Sequence, residues 1–353
     1  MPEDLRSFLG QLEAAGQLVE IRRPVDPAVE VAPLMLELER RRKAGLFRQV
    51  GGTGFSMVSN VLCTREMVGL ALRVDPAEVN FAWRERAGRR IEPLVVESAP
   101  VQEVVLTGKD ADLTRLPLVT HAAKDAGPYV SAGMVFARDP ESGRRNVSFN
   151  RIQLKEPQKA GLNALSTQQL ASIFSRMEAR GKNLPVAVVV GNHPCDMMAA
   201  ATSLPAGDDE MALAGSLRGE PVPVVRCLTV DVEVPATAEV VLEGEILAGV
   251  REPEGPFGDF LQFYASENEN LVFLLKAITH RKHPIWQSIH PGSREDVNLL
   301  GLSRETQILE AVLQNGARVV AVRLSPTILT AVVALEKQYE GEPTNVARAA
   351  FGA

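Results

Sequence analysis

The sequence is poor in cysteine and aromatic residues and has no long apolar run. Its three cysteines, Cys63, Cys195 and Cys227, are far apart and odd in number, so they predict neither a disulfide framework nor a zinc site. A reducing cytoplasm is the expected location. No apolar run reaches the roughly 18 residues of a membrane span. The acidic residues 1–4 lack the features of a signal peptide, so no membrane partner is expected.

Basic residues form no strong cluster. Lysine and arginine number 38 against 44 aspartates and glutamates, which gives a net charge of -6. This balance argues against nucleic acid as the main partner. What remains is an ordinary globular composition, 45% hydrophobic and 23% charged, in a chain of 353 residues. That length is enough for two or three domains with real cores.

Apolar periodicity divides the chain into three parts. Residues 1–110 alternate helix and strand, beginning with a helix that Asp4 can cap, as in a small α/β domain. Residues 111–300 contain many strand-like runs with inserted helices, which fits a barrel but also several other α+β layouts. Residues 301–353 contain the end of a long helix, two more strands and a final segment. We therefore expect three domains with these boundaries.

Several helix starts are predicted from capping residues. Ser166 or Thr167 is expected to cap one helix, and Asp208 is expected to cap a helix that begins with Glu210. Pro76 is expected near the first turn of an earlier helix. The apolar face of the helix after Thr167 is expected to comprise Leu170, Ile173, Phe174 and Met177.

Residues 254–259, which read EGPFGD, place two carboxylates five positions apart. Glycine permits backbone angles closed to other residues and proline fixes its own φ, so a shaped loop is predicted rather than a helix or a central strand. Two acids in one site are expected to divide into one ionised and one protonated group. The alternative is a solvated turn with two surface acids, which these six residues alone favour.

A β-hairpin is expected where the runs 129–137 and 147–154 flank the turn-rich link 138–143. Alternation along its second strand places Arg151 on the same face as Val147. Arginine presents a fork of donors that suits a carboxylate. The alternative is a strand arginine paired with a surface acid, and Arg151 by itself favours that alternative.

A few polar residues are candidates for ligand contacts. Asn146 and Glu210 offer oxygen atoms, which suit Mg²⁺ or Mn²⁺ better than zinc. An acid at a helix start also complements the helix dipole, which is the alternative for Glu210. His193, before Pro194, is expected to be a loop or capping residue rather than a catalytic base. Lys337 could contact a phosphate, and the alternative is a solvated lysine.

Several ordered stretches occur together: DAGPY at 125–129, NVSFNR at 146–151, NLPV at 183–186, PAGDDE at 205–210, AGSLRGE at 214–220, VPA at 234–236 and EGPFGD at 254–259. With 5–9 and 25–27 near the start, they resemble the UbiD family of decarboxylases, which use prenylated flavin mononucleotide (prenylated FMN). The resemblance covers essentially the whole chain. It implies an α+β fold, with an N-terminal α/β domain followed by a split β-barrel of the flavin-reductase type with helical insertions.

The resemblance implies a catalytic trio of one arginine and two acids, which falls on Arg151, Glu254 and Asp259. Arg151 would hold the substrate carboxylate or orient Glu254, which would stay ionised. Asp259 would then protonate the product carbon as a general acid. The implied reaction is the reversible non-oxidative decarboxylation of an aromatic, heteroaromatic or α,β-unsaturated acid, with prenylated FMN as the electron sink.

The resemblance also implies a cofactor and metal site. A divalent metal, Mn²⁺ or Mg²⁺, would be held by Asn146, Glu210 and Gln169, and K⁺ is a candidate further cation. The family has a histidine where this chain has Gln168 and Gln169, and a neutral amide is a different ligand from imidazole. The cofactor contacts implied are Asn146, Val147, Ser148, Arg151, Gln168, Gln169, Glu210 and Lys337.

The expected partners are a small carboxylic acid, a flavin prenyltransferase that supplies the cofactor, and further copies of this chain in a homodimer or higher homo-oligomer. Family members continue into a C-terminal domain that closes the active site. Because the sequence ends at Ala353, we expect that domain to be largely absent. Three alternatives are a non-catalytic or impaired prenylated-flavin-binding paralogue, an ordinary flavin reductase and a structural interaction protein. The intact trio argues against the first and the last.

Overall fold

The computed structural model describes residues 3–205, 207–261, 263–325 and 327–353, and it has a mixed α/β architecture. The α-helices are α1 Leu5–Ala14, α2 Val31–Arg40, α3 Arg65–Leu72, α4 Val79–Ala87, α5 Gln169–Glu178, α6 Pro194–Ala200, α7 Glu210–Arg218, α8 Arg294–Gln314 and α9 Glu342–Phe351. Within these described ranges, no helix is long and apolar enough to cross a membrane.

The strands alternate with these helices along the chain. They are β1 Leu18–Ile21, β2 Ala44–Phe47, β3 Ser56–Ser59, β4 Leu94–Val95, β5 Val104–Thr107, β6 Tyr129–Val130, β7 Met134–Arg138, β8 Arg145–Phe149, β9 Ile152–Glu156, β10 Lys159–Leu162, β11 Leu184–Val190, β12 Pro223–Arg226, β13 Glu233–Pro235, β14 Val240–Glu254, β15 Phe257–Gly258, β16 Tyr264–Ala265, β17 Asn268–His280, β18 Ile285–Gln287, β19 Val319–Leu324 and β20 Ala331–Leu335.

A nine-stranded antiparallel sheet forms the centre of the molecule. Its order is β6-β9-β10-β17-β14-β11-β7-β8, and β5 also pairs with β17. Among the described strands this path runs from β6 to β8 without closing on itself, so the split barrel stays a prediction. The two longest strands, β14 and β17, pair from Val240 opposite His280 to Glu254 opposite Asn268. The sheet therefore carries Glu254 at the far end of its central strand.

Two apolar cores lie on opposite faces of this sheet. Along β11, Ala187 and Val189 belong to one core, whereas Val186, Val188 and Val190 belong to the other. Successive side chains of a strand point to opposite faces, so β11 is buried on both sides and reads as one apolar run. A four-stranded sheet, β1-β2-β3-β18, and smaller sheets complete the fold.

The start of α5 differs from the prediction. The N-cap residue is Gln168 rather than Ser166 or Thr167, and its side chain makes no capping hydrogen bond. Its amide oxygen instead accepts hydrogen bonds from the backbone of Leu165 and from the side chain of Asn150. The helix therefore begins where Gln168 is held by the preceding loop. The capping prediction for Ser166 and Thr167 is wrong.

Two further helix starts also differ. The side chain of Asp209, not Asp208, accepts a hydrogen bond from the backbone N–H of Met211 and caps α7. Asp208 forms an ion pair with Arg90 at 3.0 Å instead. Pro76 lies in the turn before α4 rather than in its first turn, because that helix begins three residues later.

The expected hairpin is present but shorter than predicted. The strands β7 and β8 pair from Met134 opposite Phe149 to Arg138 opposite Arg145. The chain leaves the strand after Phe149, so the alternation does not extend to Arg151, contrary to the prediction. Both predicted runs divide into two strands. The hairpin joins β7, in the second half of the first run, to β8, whereas β6, at the start of the first run, pairs with β9.

The prediction that residues 254–259 exclude a central strand is wrong for Glu254. This residue is the last of the fifteen in β14. The chain then turns at Gly255, whose φ of 101° is open to glycine, and the Gly255–Pro256 peptide bond is cis. The rest of the stretch forms the short strand β15 and the loop that carries Asp259.

Candidate active site

Arg151 and Glu254 form a bidentate ion pair. Nε of Arg151 donates to Oε1 of Glu254 at 2.9 Å, and Nη2 donates to Oε2 at 2.8 Å. The Glu254 side chain is 0% exposed and that of Arg151 is 17% exposed. A parallel fork of charged donors on a buried carboxylate is the strong form of this interaction. The alternative of a surface arginine with a surface acid is therefore excluded for this pair.

The sheet brings the two residues together across β10 and β17. Arg151 lies in the bend between β8 and β9, and Glu254 ends β14. Gly161 of β10 makes room for the carboxylate, because a Cβ atom there would lie 3.3 Å from Cγ of Glu254. That distance is tighter than ordinary van der Waals contact, so a larger residue would displace Glu254. No motif around Gly161 marks it as a site residue.

Two side-chain amides complete the surroundings of Glu254. Nδ2 of Asn270 donates to Oε2 at 3.0 Å, and Nδ2 of Asn163 donates to the same oxygen at 3.3 Å. Neither asparagine was predicted as a site residue. Both are brought in by strand pairing over long sequence separations, and no local motif marks them.

An aromatic cluster lies beside the ion pair. The ring of Phe257 lies 4.4 Å from that of Tyr129, centroid to centroid, and the guanidinium carbon of Arg151 lies 5.0 Å from the Phe257 centroid. The Tyr129 hydroxyl is buried and has no hydrogen-bond partner among the described residues. Burial and the nearby Glu254 carboxylate raise the pKa of Tyr129 well above its ordinary value. Tyr129 therefore stays neutral at physiological pH.

A buried histidine lies on the other side of Phe257. The rings of His121 and Phe257 are 6.3 Å apart and edge to face. Nε2 of His121 is 3.1 Å from Oγ of Ser288 and 3.2 Å from Oγ of Ser131. Burial, together with the neighbouring His290, lowers the pKa of His121 to about 3, so the imidazole is neutral. This cluster was not predicted from the sequence.

Asp259 lies in the loop that follows β15. Its backbone N–H donates to the carbonyl of Phe263 at 2.7 Å, and among the described residues its carboxylate forms no ion pair with Arg151. Its loop is held by Asp125, whose Oδ1 accepts from the N–H of Gly258 at 2.8 Å. The other oxygen of Asp125 accepts two backbone N–H groups from the turn at 121–122. Asp125 thus fixes the backbone one residue before Asp259.

A second carboxyl group, that of Asp296, influences this region. Asp296 lies in the first turn of α8, where its Oδ2 accepts from the N–H of Gly292 at 2.9 Å. Burial, and to a smaller extent the charge of Asp259, raises the pKa of Asp296 to about 6. The sequence paired Asp259 with Glu254, and the structure adds Asp296 as a neighbouring acid.

Asn146 and Glu210 lie close together at the start of β8 and α7. Oε2 of Glu210 accepts from the N–H of Val147 at 3.0 Å, and Glu210 is 3% exposed. Burial raises the pKa of Glu210 to about 8. Among the described residues, the amide nitrogen of Asn146 is buried without a hydrogen-bond partner, whereas the hydroxyl of Ser148 donates to Asn150. The amide oxygen of Asn146 and the carboxylate of Glu210 are oxygen atoms of the kind that suits a hard cation.

Gln168 and Gln169 differ in how far their side-chain amides are already engaged in hydrogen bonds. The oxygen of Gln168 already accepts two hydrogen bonds, and its amide nitrogen lies 3.4 Å from the carbonyl of Phe149. Gln169 donates from Nε2 to the carbonyl of Leu204 at 2.8 Å. Gln169 and Asn146 line the same cavity of about 100 Å³. In the described part of the chain, no three His, Cys, Asp or Glu side chains gather to hold a metal.

Two remaining candidates lie elsewhere. Lys337 follows β20 and forms an ion pair with Glu340 on the surface, and among the described residues it contacts no member of the site above. His193 caps α6 by accepting a hydrogen bond from the N–H of Cys195 at 3.2 Å. The capping interpretation of His193 is confirmed. The phosphate contact of Lys337 stays a prediction.

Two parts of the sequence match known domain families. Residues 94–294 match UbiD, the 3-octaprenyl-4-hydroxybenzoate carboxy-lyase Rift-related domain. Residues 9–87 match UbiD_N, the N-terminal domain of the same carboxy-lyase. Together the two matches extend over most of the chain.

Curated and structural relatives agree with this match. Anhydromevalonate phosphate decarboxylase of Methanothermobacter thermautotrophicus is 32% identical over 99% of this chain and 81% of its own length. A prenylated-FMN complex of an evolved dimeric form of the UbiD-class enzyme HmfF from Pelotomaculum thermopropionicum superimposes with a TM-score of 0.96, at 37% identity over 99% of this chain and 83% of that one. The 3,4-dihydroxybenzoic acid decarboxylase of Enterobacter cloacae has a TM-score of 0.93 at 27% identity, over 99% and 79%.

Proposed function

The chain belongs to the UbiD family of prenylated-FMN-dependent decarboxylases, and from this premise we propose that it decarboxylates an aromatic, heteroaromatic or α,β-unsaturated carboxylic acid. The reaction is non-oxidative and reversible. The observation that carries the proposal is the bidentate pair of Arg151 with the fully buried Glu254. A solvated turn would have no need of such a pair.

Bound prenylated FMN supplies the electron sink that decarboxylation requires and that no side chain provides. Arg151 binds the substrate carboxylate. Two of its nitrogens hold Glu254, and Nη1 makes no hydrogen bond within the described residues. Phe257 lies against the guanidinium and offers an aromatic wall, which supports a flat, unsaturated substrate. Arg151 and Phe257 together orient the acid.

Asp259 is proposed as the general acid that protonates the product carbon. It is half-buried in a loop whose backbone Asp125 fixes at Gly258. It has no cation partner among the described residues, so no ion pair prevents it from holding a proton. Glu254, by contrast, is engaged with Arg151 in a bidentate ion pair. The two acids thus take different roles because their surroundings differ.

The cofactor and a divalent cation, Mn²⁺ or Mg²⁺, are proposed to bind at β8 and α7. Asn146 and Glu210 would be metal ligands, because both side chains are buried and offer oxygen atoms, the amide oxygen of Asn146 and the carboxylate of Glu210. Gln169 would be the third ligand, since it shares a cavity with Asn146. K⁺ is proposed as a further cation. The remaining cofactor contacts are proposed for Val147, Ser148, Arg151, Gln168 and Lys337.

The wider setting follows from the family. We propose a split β-barrel within 111–300, flanked by an α/β domain at 1–110 and a linker region at 301–353. A flavin prenyltransferase would supply the cofactor, and the chain would act in the cytoplasm as a homodimer or higher homo-oligomer.

The function is tested by native mass spectrometry after co-expression with a flavin prenyltransferase, followed by measurement of CO₂ release. We expect a bound mass of prenylated FMN plus a divalent ion, and CO₂ release from at least one class of acid. Protein expressed without the prenyltransferase is the control and should release none. A loaded protein that releases no CO₂ from aromatic, heteroaromatic or unsaturated acids would overturn the proposal. So would turnover of reduced nicotinamide with ordinary FMN.

A further inference from the structure

The carboxylate of Glu254 accepts four hydrogen bonds from nitrogen donors among the described residues. Oε2 accepts from Nη2 of Arg151 at 2.8 Å, Nδ2 of Asn270 at 3.0 Å and Nδ2 of Asn163 at 3.3 Å. Oε1 accepts from Nε of Arg151 at 2.9 Å. The Tyr129 hydroxyl also lies close to this carboxylate. The four bonds engage both oxygen atoms and hold the carboxylate in one orientation.

The two asparagines come from elements that hold them in place. Asn270 lies in β17, two residues after Asn268, the cross-strand partner of Glu254. Asn163 follows β10, and its backbone N–H donates to the carbonyl of Arg151 at 3.2 Å. Asn163 thus contacts both members of the ion pair. Neither amide depends on a flexible loop for its position.

We propose that Asn270 and Asn163 are positioning residues that hold the carboxylate of Glu254 in place and thereby fix the guanidinium of Arg151. The inference rests on the proposed function, because its consequence concerns substrate binding in that reaction. Glu254 acts as the fixed partner of Arg151. Nη1 of Arg151 is left for the substrate carboxylate.

Few other ionisable groups face Glu254. Arg151 faces it from the β8–β9 bend and Tyr129 from β6, where the tyrosine stays neutral. Lys155 of β9 lies near Gly161, and its ammonium group binds the carbonyl of Pro253 at 2.6 Å. Asp125 lies beyond Tyr129. A new carboxylate at position 270 would therefore be the one additional charge in direct contact with Glu254.

Asn270→Asp replaces the amide that donates to Glu254 with a carboxylate of the same shape, which carries the same charge as Glu254. We expect the acidic limb of the kcat/KM–pH profile to move to higher pH by about one unit, because a neighbouring carboxylate disfavours ionisation of Glu254. Below that limb kcat/KM should fall about tenfold. Asn268→Asp is the matched control, since Asn268 is exposed on the same strand and its amide donates to Ser266 rather than to Glu254. Its profile should coincide with that of the wild type.

A second measurement does not depend on activity. At pH 8, the Asn270→Asp variant should have a lower Tm than the wild type. The same substitution in a Glu254→Gln background should lower the Tm much less. Such coupling is what two residues in contact produce in a double-mutant cycle. Equal Tm changes in both backgrounds, or an unmoved acidic limb in an active Asn270→Asp enzyme, would overturn the inference. A wild-type enzyme without decarboxylase activity would overturn the proposed function instead, while the Tm cycle would still decide whether Asn270 acts on Glu254.

Discussion

The guanidinium of Arg151 holds the carboxylate of Glu254 from 103 positions away in the sequence, with both residues at the edge of the central sheet. A charge with no exposed surface depends on its partner more than a surface charge does. Substitution of single residues can therefore separate the role of Arg151 from those of the neighbouring groups.

Arg151→Ala should lower the free energy of unfolding by about 3 kcal/mol while leaving the chain folded, because the buried Glu254 keeps only its amide donors. Turnover should fall by at least about 100-fold, because the substrate loses its anchor. Urea unfolding and CO₂ release measure the two effects. Arg251→Ala is the control, since Arg251 makes a bidentate pair with Glu178 that is about one-third exposed. It should cost less than about 1 kcal/mol. Similar costs for both variants would contradict the assigned burial.

Asp259→Asn should abolish proton donation while leaving the fold intact. A general acid typically contributes about 100- to 10,000-fold to a rate, so turnover should fall within that range. Incorporation of solvent deuterium into the product should slow in parallel. Asp231→Asn, at an exposed surface ion pair with Arg138, is the control and should retain full turnover. Full activity in Asp259→Asn would remove Asp259 from the mechanism.

Asp296 predicts a specific dependence of stability on pH. Its pKa of about 6 lies above the ordinary value of 3.8, so ionising this partly buried carboxyl group disfavours the folded state. The stabilisation from the protonated form is complete below pH 3.8 and is lost as the pH rises through 6. The loss is on the order of 2–3 kcal/mol.

Asp296→Asn removes this loss, because an amide oxygen can still accept from Gly292 and carries no charge. The Tm difference between Asp296→Asn and the wild type should be near zero at about pH 4 and should favour the variant by several degrees at pH 8. Thermal unfolding across this range provides the measurement. A constant difference at all pH values would show that Asp296 does not titrate in this window.

Gln169→His should strengthen binding of a divalent metal. Imidazole is a better ligand than a neutral amide for Mn²⁺-like ions, and Gln169 lines the cavity beside Asn146. Equilibrium dialysis of the protein with Mn²⁺ measures the affinity, and a gain of about tenfold is expected. Gln168→His is the matched control, because the oxygen of Gln168 already accepts two hydrogen bonds. It should lower Tm without a gain in affinity. Weaker or unchanged binding in Gln169→His would argue against Gln169 as a ligand.

Much of the local structure could be predicted from the sequence where one signal dominated. Asp4 caps α1, and Leu5, Phe8, Leu9 and Leu12 are buried as the helical spacing predicts. The sequence does not predict the strand β2, because its alanine and glycine are poor strand formers, although all four of its residues are buried. Burial in a sheet outweighed intrinsic preference there.

The site was only partly predictable for a physical reason. Arg151 and Glu254 carry charges that mark them as candidates, so their pairing could be anticipated. Asn163, Asn270 and Gly161 act through position alone. Sheet pairing brings Asn163 to Glu254 from 91 positions away and Asn270 from 16 positions away. No short motif contains that information.

The extension of β14 to Glu254 was hidden by an irregularity. Between Ile246 and Arg251 the pairing with β17 shifts, and Gly249 adopts a φ of 69°. Pro253 cannot donate a hydrogen bond to a neighbouring strand, so the sequence predicts that the strand ends before this residue. The strand nevertheless resumes and delivers the carboxylate to the site.

This irregularity divides β14 into two halves. The alternation of side chains between the two faces of the sheet in one half does not depend on the alternation in the other. From Ile246 to Arg251 the strand advances five residues, while its partner changes only from Phe273 to Leu271. A one-residue slip turns every side chain of a strand to the opposite face. Adding or removing one residue in the irregular segment would therefore rotate Glu254 away from Arg151 without moving the core half of the strand. A change of one residue in the length of this segment would therefore alter which side chain of β14 faces Arg151, while the interior of the sheet stays unchanged.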